Sequence, residues 1–177
     1  ENCRRYSARI VRNIKVGPSP EWVVKHLESI GQRSINNIVD TTNIVMYDCG
    51  QPCHAFDLKK LSGEKIIITN AKAGTELPVV GRDGIIAKLL ETDLVITDGE
   101  KNLALGGVKG GLDSGISEDT TDIVLEVANF YPIAVRKTAR RLGLLSDSAK
   151  RFENDLSPTL CDFGMLELTG LLFEIFP

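Results

Sequence analysis

The period of the hydrophobic positions changes several times along the chain, and each change marks an element. "RYSARIVRNIKV" (5–16) alternates and is rich in β-branched residues, which predicts an opening strand. "SPEWVVKHLESIG" turns helical, with Ser19 as N-cap, Pro20 at the first helical position and Gly31 at the end. In "SINNIVDTTNIVMYDCG", Ile35, Ile38, Val39, Thr42, Val45 and Met46 recur at helical spacing, and Gly50 closes the helix. The same helix carries a second, polar stripe of Asn36, Asp40, Asn43 and Tyr47. "EKIIITNA", "DLVITDG", "NLALGGV" and "TTDIVLEVANF" are apolar runs cut by Gly and Asp turns, and are predicted as strands. "YPIAVRKTARRLGL" predicts a helix with Pro132 near its start and Gly143 at its end. "SPTLCDFGMLELTGLLFEIF" predicts a terminal helix capped by Ser157, with an apolar stripe suited to docking on a sheet. The order is strand, helices, strands, helices. It is not a regular βαβ alternation, so the expected fold is α+β, a mixed, mostly antiparallel sheet flanked by helices.

Composition narrows the class. The 177 residues suffice for one domain with a sizeable core, and the expected organisation is a single domain over 1–177. A hydrophobic fraction of 42% and a charged fraction of 25% are ordinary for a globular domain. Apolar runs such as "GIIAKLL" are far shorter than a membrane span, and no basic-then-apolar leader opens the chain. The start at Glu1 and the stop after "LLFEIFP" read as a piece of a longer protein. A net charge of −3 gives no global basic signature, so any nucleic-acid surface has to be local.

Four stretches could carry chemistry. On a strand through "TTDIVLEVANF", Val124, Glu126 and Ala128 share one face, which makes Glu126 the lone carboxylate on small apolar ground. Buried, it needs a partner or a task; on an edge strand it would simply sit in water. "LGGVKGGLDSG" is glycine-rich, consistent with bulges and turns or with a ligand close to the backbone, and it lacks the Gly-Lys-Ser/Thr of a phosphate loop. "VRKTARR" stacks Arg136 with Arg140 and Lys137 with Arg141 at helical spacing, a stripe suited to phosphates or to solvent. "CGQPCH" holds His54, one of two histidines in the chain. Three residues separate Cys49 from Cys53, too many for haem attachment. The leftover ligands His26 and Cys161 lie on separate predicted helices, so no metal is expected.

"SINNIVDTTNIVMYDCGQPCHAFDL", "ALGGVKGG", "SEDTTDIVLE" and "VRKTARRLGLLSDSAKRFENDLSP" strongly resemble bacterial phenylalanyl-tRNA synthetase beta subunits. They match the editing module, the paired third and fourth domains of that subunit. The resemblance implies hydrolysis of the ester of mischarged tyrosyl-tRNA(Phe), because a hydrophobic pocket rejects an isostere with an added hydroxyl only about a hundredfold. By the same resemblance, His54 matches a histidine of the editing pocket and Glu126 the glutamate that accepts from the tyrosine hydroxyl. Asn43, Arg33, Gly107 and Gly110 match other pocket-lining positions. Ser146 falls where many relatives have Thr, and Ser148 where many have Ala. Arg136, Lys137, Arg140 and Arg141 are then expected to hold tRNA. The implied partners are tRNA(Phe), the alpha subunit and the rest of the beta subunit in a heterotetramer, in the cytoplasm and with no membrane; the fragment alone is expected to be monomeric. No cofactor is expected in this domain, ATP and Mg belonging to the aminoacylation centre of the alpha subunit. No Ser-His-Asp arrangement is legible, so direct attack by water is expected. The competing readings are a non-catalytic tRNA-binding and subunit-packing module, and a free-standing relative acting on another charged tRNA.

Overall fold

The computed structural model describes residues 2–63, 65–81 and 84–176. Along the chain run β1 (Cys3–Val11), α1 (Glu21–Ser29), α2 (Asn37–Cys49), β2 (Cys53–Asp57), β3 (Ile67–Asn70), β4 (Glu76–Pro78) and β5 (Ile86–Lys88). They are followed by β6 (Leu94–Thr97), β7 (Asn102–Leu105), β8 (Lys109–Gly110), β9 (Ile123–Phe130), α3 (Pro132–Leu142), α4 (Asp147–Phe152) and α5 (Leu160–Ile175). The strands form a sheet in the order β1-β9-β2, a second in the order β3-β6-β7-β8, and a β4-β5 ribbon. Every pairing within them is antiparallel. The fold is α+β, as the pattern predicts.

β9 organises the molecule. Its sequence IVLEVANF is almost continuously apolar, and all eight positions are buried. A run of this kind suits a strand covered on both faces. Ile123, Leu125 and Val127 pack with Ala55 of β2 against Ile38 and Val45 of α2 and Cys161, Met165 and Leu168 of α5. The opposite face presents Val124 and Ala128, with Phe56 of β2, to the second sheet and to Val135 of α3 and Phe152 of α4. Each such side chain taken out of water contributes about 1.5–3 kcal/mol before entropy is charged against it.

One end of α2 follows its predicted chemistry and the other does not: Asn36, read as part of a polar stripe, caps α2, its side-chain oxygen accepting from the backbone N–H of Ile38 and Val39 at 3.1 and 2.9 Å. Gly50 ends α2 in the left-handed region at φ 80°, a conformation glycine adopts without strain. Elsewhere the structure corrects the reading. Ser19 does not cap α1; its hydroxyl donates to the buried Asp40 carboxylate at 2.6 Å, and Pro20 takes the cap position. Ser157 lies in the turn before α5, and Thr159 occupies the cap position without a side-chain hydrogen bond. β2 was not expected as a strand: five residues after a proline carry too little pattern, and only pairing with β9 makes them one. Among the described residues no helix is long and apolar enough to cross a membrane.

Candidate active site

The register of the first sheet brings the site together. On β2, His54 lies opposite Glu126 of β9. On β1, Ala8 lies opposite Glu126 and Tyr6 opposite Ala128. Opposite residues of an antiparallel pair project to the same face, and diagonal neighbours on that face lie within reach of long side chains. His54, Glu126 and Tyr6 therefore stand side by side across three strands. The Tyr6 phenol donates to Glu126 Oε2 at 2.6 Å.

Glu126 is only 6% exposed. β9 is the central strand, so the solvent-facing edge alternative does not hold. Burial drives the carboxyl up to about 7, with the Tyr6 hydrogen bond pulling the other way. Burial, and next the Glu126 charge, pushes the Tyr6 phenol far above its ordinary range, so it remains a donor. His54 as a residue is half-buried, but its Nε2 is sealed from solvent and has no hydrogen-bond partner. Burial lowers the imidazole to about 4, which leaves it neutral near pH 7. The Phe56 ring meets it edge-on, with centroids 4.5 Å apart.

Gly110 roofs the imidazole. A Cβ at that position would lie 2.8 Å from His54 Cε1 and 3.1 Å from Nε2. Gly107, in the turn between β7 and β8, has φ +73° and sits on Val135, Phe130 and Phe152, where a Cβ would be 2.9–3.0 Å from side-chain carbons. Its role is to seat that turn on the core. Two serines brace the same turn: Ser146 Oγ donates to the Val108 carbonyl at 2.7 Å and Ser148 Oγ to the Gly107 carbonyl at 3.4 Å. Ser146 also caps α4, accepting from the Ala149 N–H at 3.0 Å. Both hydroxyls are engaged away from His54, so neither is set up as a nucleophile with an imidazole base. That leaves a buried carboxyl acceptor and a neutral imidazole with one open valence.

The other expected residues are placed differently. Asn43 is half-buried on α2, one turn before Tyr47, whose phenol donates to Asp147 of α4 at 2.8 Å. Among the described residues no hydrogen bond joins Asn43 to His54 or Glu126. Arg33 is exposed between α1 and α2 and has no ion pair among the described residues. Arg136 and Lys137 are exposed on α3, and Arg140 stands 3.8 Å from Glu153. Arg141 is exposed like its neighbours on the stripe, but it is also tied down. Its guanidinium pairs with the buried Asp93 carboxylate and donates to the Lys88 carbonyl at 3.0 Å. Thr138 donates to the same carboxylate at 2.7 Å. A buried carboxylate needs such partners, so Arg141 is committed to Asp93, while Arg136 and Lys137 have no ion pair among the described residues.

The model of the B3/4 domain family matches residues 2–177. The chain belongs to that family. This B3/4 domain is 48% identical over 174 residues to the phenylalanine–tRNA ligase beta subunit of Porphyromonas gingivalis, covering 98% of this chain and 21% of that one. It is 44% identical over 175 residues to the beta subunit of Thermotoga maritima, covering 99% and 22%. The chain thus spans about a fifth of the length of these relatives. Among solved structures, it is similar to an N-terminal fragment of the phenylalanyl-tRNA synthetase beta subunit from Pyrococcus horikoshii, with a TM-score of 0.51 and 12% identity over 80% of this chain and 45% of that one. At that identity the likeness concerns the fold.

Sequence reasoning missed one residue of this B3/4 domain's site. Tyr6 was visible only as an aromatic in an alternating strand. Its distance to Glu126 depends on the β1–β9 register, and that register shifts between Cys3 and Arg5.

Proposed function

We propose that this B3/4 domain is the editing module of a phenylalanine–tRNA ligase beta subunit, and that it hydrolyses the ester of mischarged tyrosyl-tRNA(Phe). The observation that carries the reading is the pairing of a buried carboxyl, Glu126, with an unpartnered imidazole nitrogen on the adjacent strand, His54, under a side-chain-free roof at Gly110. Tyrosine and phenylalanine differ by one hydroxyl. A site that hydrogen-bonds the hydroxyl rejects the analogue lacking it by roughly ten-thousand-fold or more. Glu126 is the acceptor in that scheme. His54 Nε2 orients the attacking water or the terminal ribose, and the carbonyl oxygen takes up charge as water adds. Asn43, Arg33, Gly107, Ser146 and Ser148 complete or support the pocket when the tRNA end enters. The partners in this reading are tRNA(Phe), the alpha subunit and the remainder of the beta subunit. Water hydrolysis of an ester calls for no cofactor here, ATP and Mg serving aminoacylation in the alpha subunit.

The direct test is single-turnover deacylation by the assembled synthetase. Rapid release of tyrosine from Tyr-tRNA(Phe) with Phe-tRNA(Phe) spared is expected. Equal, background-level rates for both esters leave only a packing module. Burial keeps His54 neutral at working pH and makes it a weak proton acceptor, so in this reading it positions rather than ionises. His54→Ala is expected to slow tyrosyl release by less than the roughly hundredfold that marks the low end of general-base loss. His54→Gln keeps a donor and an acceptor and is expected to regain part of the rate. A wild-type titration near pH 6.5, flat and nearly dead in both variants, would make His54 a general base instead.

Arg136 and Lys137 are the outward charges best placed for phosphates. Neutralising either is expected to weaken tRNA binding and to flatten the log–log salt slope by about one unit. Hydrolysis of a small tyrosyl ester is expected to stay unchanged. Identical salt titrations for wild type and variants would make the stripe a solvated helix face.

A further inference from the structure

We infer that Tyr6 is a positioning residue for hydroxyl selection: its phenol holds Oε2 of Glu126, so that Oε1 is the oxygen presented to substrate. The inference rests on the editing reading above. Three observations lead to it. The hydrogen bond is short, 2.6 Å, between diagonal neighbours on one face of the sheet. It is the one hydrogen bond of the Glu126 carboxyl among the described residues. And His54 Nε2 remains without a partner although Glu126 is the residue directly opposite.

The third observation is the decisive one. Opposite side chains on an antiparallel pair start about 4.5–5.5 Å apart at Cβ, so an untethered glutamate can fold onto the imidazole. Such a contact would satisfy Nε2, relieve a buried unpaired group and close the site on itself. Tyr6 pulls the carboxyl the other way, towards β1. Both polar groups that the proposed chemistry needs, Oε1 and Nε2, are thereby kept from pairing with each other. Tyr6 sits where its donor role is secure, since burial and the Glu126 charge both oppose ionisation of the phenol. The other titratable groups near Glu126 are His54 on β2 and the thiols of Cys3 and Cys53. Burial pushes both thiols up, so they stay protonated and uncharged.

The test is Tyr6→Phe in the full synthetase, which removes one oxygen and keeps the ring. The quantity read is the ratio of single-turnover deacylation rates for Tyr-tRNA(Phe) and Phe-tRNA(Phe), measured across pH so that hydroxide dependence cancels. The ratio is expected to fall roughly tenfold to a hundredfold, the usual worth of a hydrogen bond to a charged group. Its midpoint is expected to move to higher pH, because the Tyr6 hydrogen bond is what lowers the Glu126 carboxyl. In a Glu126→Gln background the same Tyr6→Phe change is expected to have little further effect, since residues acting as a unit are non-additive. A melting curve for each variant separates loss of fold from loss of selection. An unchanged ratio and midpoint in Tyr6→Phe make Tyr6 a packing residue and overturn the inference while leaving the editing reading standing. A faster tyrosyl rate would also overturn it, by showing that the Tyr6 hydroxyl competes with substrate. A wild-type enzyme that treats both esters alike removes the editing reading, and this inference with it.

Discussion

Glu126→Ala in the assembled synthetase is expected to abolish the distinction between tyrosyl and phenylalanyl esters. In the editing reading the preference is set by one hydroxyl meeting one carboxyl, a selection worth roughly ten-thousand-fold or more. With the carboxyl gone, the tyrosine hydroxyl is buried without an acceptor, and the Tyr6 phenol loses its partner at the same time. The first loss falls on tyrosine alone, so the two rates are expected to converge to within about tenfold. A variant that still releases tyrosine and spares phenylalanine as the wild type does would remove Glu126 from the selecting role.

The same carboxyl should cost the fold stability at high pH. Its folded pKa, about 7, is raised above its ordinary value of 4.5 by burial. The folded state therefore holds a proton that the unfolded state releases, so stability falls as pH rises from 4.5 through 7 and is fully retained below 4.5. Glu126→Gln, which cannot ionise, is expected to be more stable than wild type at pH 8 by about 3 kcal/mol, with the difference shrinking towards pH 4. Paired denaturant titrations at the two pH values check it. The His54 contribution has the opposite slope. With a folded pKa near 4 against 6.5, it stabilises least at low pH and is common to both proteins.

Gly110→Ala is expected to cost about a hundredfold in tyrosyl release, the usual penalty for an ångström-scale misplacement at a reacting centre. The backbone at Gly110 is not in the left-handed region, so alanine is tolerable there on backbone grounds. The conflict is with one side chain: the new Cβ would lie 2.8 Å from His54 Cε1, and Phe56 closes the imidazole in edge-on. The ring must turn, and in the editing reading that moves the Nε2 that orients water or ribose. Overpacking of this kind costs stability by about 1–3 kcal/mol, so the fold is expected to survive. His54→Ala combined with Gly110→Ala sharpens the test. With the ring gone the methyl has room, and the double variant is expected to recover to the level of His54→Ala alone. A Gly110→Ala enzyme with wild-type rate would mean that the glycine is a turn residue only. Gly111→Ala offers a contrast, since its Cβ would meet the Leu103 carbonyl oxygen at 2.4 Å, a backbone conflict expected to damage the hairpin itself.

The part of the site that was legible came from residues out of keeping with their surroundings. Glu126 stands in the run IVLEVANF, and a carboxylate in such a run asks for a reason whatever the fold. Gly50 announced the end of α2 because a left-handed turn is local chemistry, settled within four or five residues. The resemblance named His54, but the local sequence placed it in a turn. Five residues after Pro52 do not declare a strand, and β2 exists because β9 pairs with it. Arg141 misled for the same reason in reverse. Its spacing from Lys137 is helical and suggests a charge row, while the Asp93 that takes it lies on a distant segment.

By itself, then, the sequence determined the α+β class, the long elements, the glycine stops at Gly50 and Gly143, and Glu126 as a carboxylate on an apolar strand. These follow from period, propensity and short-range hydrogen bonding, all of which act within a few residues. Only the tertiary structure decided that β9 is central rather than an edge, that Tyr6 and His54 flank Glu126, that Gly110 roofs the imidazole, and that Arg141 pairs with the buried Asp93. Each of these depends on strand register or on packing between segments far apart in the chain. A shift of one residue in the β1–β9 or β2–β9 pairing would send Tyr6 or His54 to the opposite face, and what holds the register is burial of those faces against other segments, which a strand read alone does not display.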